Sequence, residues 1–154
     1  EDYYSKNAFI VPFHDKFSLI YSDSTSVSLL NINAFAETEN KLKLNTDISV
    51  QSLNGRISYD QNLITLFFND KTHNYYELTF SLKSGDPIQD PKLIITNPRR
   101  SYLGPDHLIY ADNHAISLYY NSEHFKIYDA QLVETLASYH DDKQWYITFT
   151  CLYD

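Results

Sequence analysis

Six histidines, His14, His73, His107, His114, His124 and His140, are the side chains of this chain best suited to proton transfer or metal binding near neutral pH. None falls in the His-Glu-X-X-His helical spacing, and no His-X-His pair shares one strand face. Asp106-His107 and Asp112-Asn113-His114 flank a short apolar strand, Leu108 to Ala111, and can converge across it, with Glu123-His124 on the next turn. A metal would require three or more such groups on one side of the sheet. The plainer expectation is that these residues end strands and satisfy backbone groups, with no metal bound. Asp141-Asp142 reads in the same way, as a solvated hairpin tip rather than a cation site.

Nucleophilic chemistry has less to work with. The single Cys151 lies in the apolar run Trp145 to Leu152, where a buried inert thiol is expected; alone it makes no disulfide and no multi-cysteine zinc site. The serines around Asp23 form no Gly-X-Ser-X-Gly elbow. Three glycines in 154 residues supply no Walker loop and no dinucleotide fingerprint. No catalytic residue and no cofactor are assigned, and an enzyme is the less expected outcome. Carboxylates are plentiful, so a glycan-acting hydrolase stays open as an alternative, since two acids at the right separation leave no sequence mark.

Aromatic pairs are the remaining signal: Tyr3-Tyr4, Phe67-Phe68, Tyr75-Tyr76 and Tyr119-Tyr120. Neighbours on a strand point to opposite faces, so one ring of each pair can enter a core while the other stays outside. Exposed Tyr on a rigid strand suits recognition of a partner. Tyr75, Tyr119 and Tyr120, with His107 and His114 at nearby strand ends, are therefore the candidate binding residues.

The elements that would position these groups are short. Apolar runs of four to eight residues recur between polar turns. They are Ala8 to Phe13, Phe17 to Tyr21, Val27 to Ile32, Ile48 to Leu53, Leu63 to Phe68, Tyr75 to Leu82, Leu93 to Thr96, Leu108 to Ala111, Ile116 to Tyr120, Phe125 to Tyr128 and Trp145 to Leu152. Ile, Val, Thr, Tyr and Phe dominate them, and several alternate at period two. Asn54-Gly55, Ser84-Gly85-Asp86-Pro87 and Leu103-Gly104-Pro105-Asp106 read as turns. The pattern predicts a mainly β, antiparallel meander. An exception is Asp129 to His140, where an N-cap and one apolar face predict a helix.

An internal echo runs through the strands. Leu19-Ile20-Tyr21, Ile57-Ser58-Tyr59 and Leu108-Ile109-Tyr110 are each followed by an aspartate, Asp23, Asp60 or Asp112, expected to hold the turn. Four residues beyond each aspartate an alternating strand begins, at Val27, Ile64 and Ile116. This unit resembles a blade of a β-propeller of the WD-repeat or quinoprotein-like kind, although the family's Gly-His pair and Trp are missing. The resemblance implies that the two strands around each aspartate are the middle ones of a blade. It makes Phe125 to Asp129 and Tyr75 to Leu78 outer strands, with Ser84 to Pro87 an exit turn. Possible units are 8–47, 48–91 and 92–142, with the first strand of a fourth beyond. Three blades do not close a ring, so further sequence, a second copy or a partner is implied. The alternative is a closed β-barrel or sandwich with the short C-terminal helix.

Composition bounds the function. At 43% hydrophobic and 16% aromatic, the chain can bury a core as one domain. A formal charge of -8 disfavours nucleic acid, which is gripped by basic patches. No stretch of about 18 apolar residues is present to span a membrane. The chain starts at Glu1 and holds no Met, as expected of a processed protein or a segment of a longer one. The leading expectation is a non-catalytic binding or scaffold module that offers Tyr-rich β surfaces to a protein partner, with sheet-edge pairing or oligomerisation as possible modes. A small barrel carrying a hydrophobic molecule is the second.

Overall fold

The computed structural model describes residues 8–13, 16–23, 26–32, 37–112 and 115–128. Within them the chain forms twelve strands and no helix. The first four are β1 (Ala8–Phe13), β2 (Lys16–Asp23), β3 (Ser26–Ile32) and β4 (Thr38–Leu44). β5 (Ser52–Ile57), β6 (Leu63–Asn69), β7 (Asn74–Ser81) and β8 (Lys92–Thr96) follow. The last are β9 (Arg100–Leu103), β10 (His107–Ala111), β11 (Ile116–Tyr120) and β12 (Glu123–Tyr128). Each group of four pairs antiparallel in chain order, giving three separate four-stranded sheets. The helix expected over Asp129 to His140 lies outside the described residues, as do Trp145 to Leu152, Cys151 and Asp141-Asp142. No closed barrel is formed by the described strands; each sheet is open and has two edges.

The middle sheet is covered on both faces, and adjacent side chains of β6 show why. Phe68 and its neighbours Ile64 and Leu66 join Ile20, Val27, Leu29 and Leu44 of the first sheet in one buried cluster. Phe67 points the other way, into a cluster with Tyr75, Ile94, Leu108, Tyr110 and Tyr119, which reaches the third sheet. A period-two strand thus serves two interfaces at once, and both rings of the Phe67-Phe68 pair are buried. Burying a Phe in this way contributes about 1.5–3 kcal/mol relative to leaving it exposed.

Asn54-Gly55 is not a turn but the middle of β5, paired with Phe67 and Leu66. A Cβ on Gly55 would lie 2.5 Å from the Thr65 carbonyl oxygen and 3.2 Å from the Phe9 ring. Glycine is needed there chiefly because the backbone of the paired strand β6 leaves no room for a Cβ, with the Phe9 ring of β1 closing the remaining space. Two strands had no expectation at all. β4, with the sequence TENKLKL, carries three charged residues in seven, and β9 has only four residues.

The echo is also out of phase. Asp60 lies between the first and second strands of its sheet, whereas Asp23 ends the second strand of the first sheet and Asp112 follows the second strand of the third. The residue in phase with them is Asp70, between β6 and β7. The separations become 47 (from 23 to 70) and 42 (from 70 to 112), more even than the 37 and 52 that Asp60 gives. Tyr75 to Leu78 is accordingly part of a third strand, and β8 is the outer one. Ser84 to Pro87 belongs to the β7–β8 connection, where Gly85 takes φ +78° and donates its N–H to the Ser81 carbonyl. Lys92–Thr96 therefore belongs to the second sheet and not to a third unit starting at 92.

Candidate functional site

Among the described strands, the stack of three sheets ends in two faces that no other described sheet covers. By strand alternation, the outer face of the third sheet carries Arg100 and Tyr102 from β9, and His107, Ile109 and Ala111 from β10. Ile116, Leu118 and Tyr120 of β11 and Glu123 and Phe125 of β12 complete it. Ile109 and Ile116 cluster at its centre with Ala111 and Leu118 around them. Around that centre Tyr102, Tyr120 and Phe125 are 58%, 42% and 45% exposed. The outer face of the first sheet presents Ala8, Ile10, Pro12, Phe17, Leu19, Tyr21, Leu30 and Ile32, and Ile10 and Phe17 are 65% and 60% exposed. Scattered single apolar residues are ordinary on a protein surface, but contiguous rows of them on a flat sheet mark a contact site.

The candidate residues separate by position. Tyr120 is on the outer face. Tyr119 and Tyr75 are not surface groups: both are buried between the second and third sheets, so neither ring can meet a partner there. Alternation does put one ring of Tyr119-Tyr120 inside and one outside, but a buried polar tip then needs a hydrogen bond. The Tyr119 hydroxyl donates to the Glu77 carboxylate, which also accepts from Ser122 Oγ at 3.2 Å. Lys92 Nζ lies 5.3 Å from the Tyr119 ring centre and donates to the Ser122 carbonyl at 3.0 Å. Burial, reinforced by the hydrogen bond to Glu77, pushes the Tyr119 hydroxyl well above the ordinary tyrosine range. Tyr75 and Ser101 share a hydrogen bond between the same two sheets.

His107 points its Nδ1 at Asp106 Oδ1, 2.7 Å away, and its ring lies 6.0 Å from that of Tyr102. The ring packs over Gly104 of the β9–β10 turn, where a Cβ would meet the imidazole at 2.4 Å and displace it. His107 thus borders the outer face as a turn residue. His124 sits on the opposite face of its sheet, sharing a 2.8 Å hydrogen bond with the Tyr110 hydroxyl. His114 lies outside the described residues, and so do His14 and His140.

No family model matches the chain, and neither a curated protein nor a solved structure is significantly similar to it.

The aspartates act locally. Asp112 Oδ1 accepts the Ala115 N–H at 2.8 Å. Asp60 accepts from the Asn62 N–H at 3.2 Å and from the Ser58 hydroxyl. Asp70, the one missed from the sequence, is the most heavily bonded. Its Oδ1 accepts the N–H groups of Thr72 and Asn74 at 2.8 and 2.9 Å, and Oδ2 accepts from Asn74 Nδ2 and the Tyr76 hydroxyl. Desolvation by burial pushes its pKa up, but these bonds outweigh it and hold the carboxyl below its usual range. The signal for Asp70 was present in Asn69-Asp70-Lys71-Thr72-His73-Asn74, a run of turn-forming polar residues at the right phase. For Asp23 the strand position is all that is described. Among the described residues, no three His, Cys, Asp or Glu side chains group in a way that could hold a metal ion, and no helix is long and apolar enough to cross a membrane.

Proposed function

We propose that this chain is a non-catalytic protein-binding module built of propeller-like blades, and that its partner docks on the flat outer face of the third sheet. The observation that carries this reading is the row Tyr102, Tyr120 and Phe125, large rings left half-exposed around the Ile109–Ile116 cluster. Such rings offer large contact area at a small loss of side-chain entropy, which is why aromatic anchors dominate interface energetics. Face docking is favoured over edge pairing at β4, because that edge carries Lys41 and Lys43, and charged edge strands resist augmentation. The blade assignment is supported by three sheets of equal strand number, each built from contiguous chain and packed face to face.

A photo-crosslinking amino acid placed at Tyr120 should give discrete protein adducts in cells. The same group at Tyr59, fully exposed on the β5–β6 turn, serves as the control. Adducts no richer at 120 than at 59 would remove the docking-face reading.

A further inference from the structure

Asn54-Gly55, the single Asn-Gly pair of the chain, does not make the turn that its sequence favours, yet it keeps the chemistry of that pair. The backbone nitrogen after an asparagine can attack the side-chain Cγ, and a glycine, with no Cβ, lets it approach most freely. The nitrogen gives its proton to water and bonds to Cγ. The tetrahedral carbon then expels the carboxamide nitrogen, which takes a proton from solvent and leaves as ammonia. A five-membered succinimide remains, and one water opens it at either carbonyl. The product is an aspartyl residue or an isoaspartyl one, whose main chain runs through the side-chain carbon. No oxidant, metal or enzyme takes part.

Three features of the fold hold the reacting atoms out of line. Ring closure requires the Gly55 nitrogen to rotate toward Cβ of Asn54, outside the extended region in which a paired strand is held. Both residues are fixed there by pairing with Phe67 and Leu66 of β6. The Gly55 N–H donates to Asn54 Oδ1 at 2.9 Å, and such a donor lies near the carboxamide plane, whereas attack on Cγ comes from above it. The leaving nitrogen, Nδ2, donates to the Leu103 carbonyl of the third sheet at 3.3 Å. That bond exists only while the second and third sheets are stacked. Phe67, directly opposite Asn54 on β6, is buried in the same interface.

We propose that Asn54 is a site of covalent self-modification that the stacked sheets hold shut and that opens when the third sheet leaves the second. The change runs one way. An isoaspartyl residue adds a main-chain carbon beside Gly55, where even a Cβ would come within 2.5 Å of the Thr65 carbonyl oxygen. An aspartyl carboxylate has no proton to offer Leu103 and sets negative charge against its carbonyl oxygen. Either product weakens the contact whose loss produced it, so a chain that has spent long enough open is marked and stays loosened.

The full chain aged at mildly alkaline pH tests this, with conversion at position 54 followed by peptide mapping and isoaspartate counted with a protein isoaspartyl methyltransferase. A shut site reacts only through its open fraction, so conversion should be at least tenfold slower in the native chain than in the same chain unfolded in urea. Across sub-denaturing urea the rate at 54 should rise together with amide exchange in β10, ahead of exchange in β6 and β7. Phe67→Ala should raise the rate at least fivefold in buffer. Tyr75→Phe, a milder change that removes the hydroxyl bonded to Ser101 across the same two sheets, should raise it at least twofold and covers the case in which Phe67→Ala does not fold. Equal rates in the native and unfolded chains overturn the proposal that the fold holds the site shut. A rate that rises only when β6 and β7 also exchange overturns the third sheet as its gate.

Discussion

Phe67→Ala and Phe68→Ala, one residue apart, should loosen different parts of the molecule. Phe67 is buried against the third sheet, its ring edge-on to Tyr119 with centres 6.4 Å apart; Phe68 is buried toward the first sheet and stacks on Tyr76 at 5.6 Å. Truncating a buried Phe to Ala costs about 3–5 kcal/mol, from lost transfer energy and the cavity that remains. At roughly 0.05–0.15 kcal/mol per residue, the third sheet of roughly 30 residues holds only about 1.5–4.5 kcal/mol of its own. The loss at Phe67 is therefore as large as the stability of the whole third sheet. Phe67→Ala should let β9 to β12 open locally while β1 to β8 stay closed, and Phe68→Ala should instead release β1 to β4 from the rest. Hydrogen exchange followed by mass spectrometry reads this directly, through peptides covering β10–β11 and β2–β3. Protection in the first should fall by at least a hundredfold in Phe67→Ala, and in the second by a similar factor in Phe68→Ala. Equal loss across all three sheets in both variants would show that the molecule unfolds as one unit, and the reasoning from two separate interfaces would fail.

Alkaline stability follows from Tyr119. Its hydroxyl pKa is raised above the ordinary tyrosine value by burial and by Glu77, so the folded chain keeps a proton that the unfolded chain gives up. That contribution is whole below pH 10 and declines as pH rises beyond it, by at most about 1.4 kcal/mol per pH unit for one group. Denaturant titrations between pH 9 and pH 11 should therefore show a shallower decline in Tyr119→Phe than in the unaltered chain; parallel curves would remove the assignment. Asp70 works in the opposite sense. Its depressed carboxyl stabilises the fold above the unfolded pKa and the contribution fades as pH falls through the lower folded value. Asp70→Ala should cost about 1–2 kcal/mol at neutral pH, through hydrogen bonds to a partly buried carboxylate. It should also flatten the acid limb of the stability curve, and a steeper acid limb would contradict this.

Strand existence was readable from the sequence because alternation and β-branched content survive without knowledge of the third dimension. β1 agrees end to end, and β6, β10 and β11 agree within a residue or so. β4 was hidden because its inward positions carry only Leu42 and Leu44, with lysines between them. Asn54-Gly55 misled because the dipeptide favours a tight turn locally. The requirement for glycine there comes instead from the close approach of the Thr65 carbonyl on the paired strand β6, which the dipeptide itself does not announce. Phase was lost in the same way. The apolar triplet before Asp60 imitates those before Asp23 and Asp112, yet which turn is equivalent depends on how many strands precede it in its own sheet. For the candidate site, alternation indicated that one of Tyr119 and Tyr120 is inside. Which of them, and that Tyr75 is covered, depends on where the neighbouring sheet lies.

Among the described residues every strand pair of the sheets joins chain neighbours, and only a few residues separate one sheet from the next. On the ribosome, this order lets each sheet assemble as it emerges. At roughly 5–20 residues per second, four strands are made in about 2–9 s, whereas a hairpin closes in about 1–10 μs. The first sheet is thus complete for seconds before β5 to β8 exist to cover Ile20, Val27 and Leu29. That interval is the nascent chain's most vulnerable moment. Chaperone engagement should be densest while those strands are outside the exit tunnel and their cover is not.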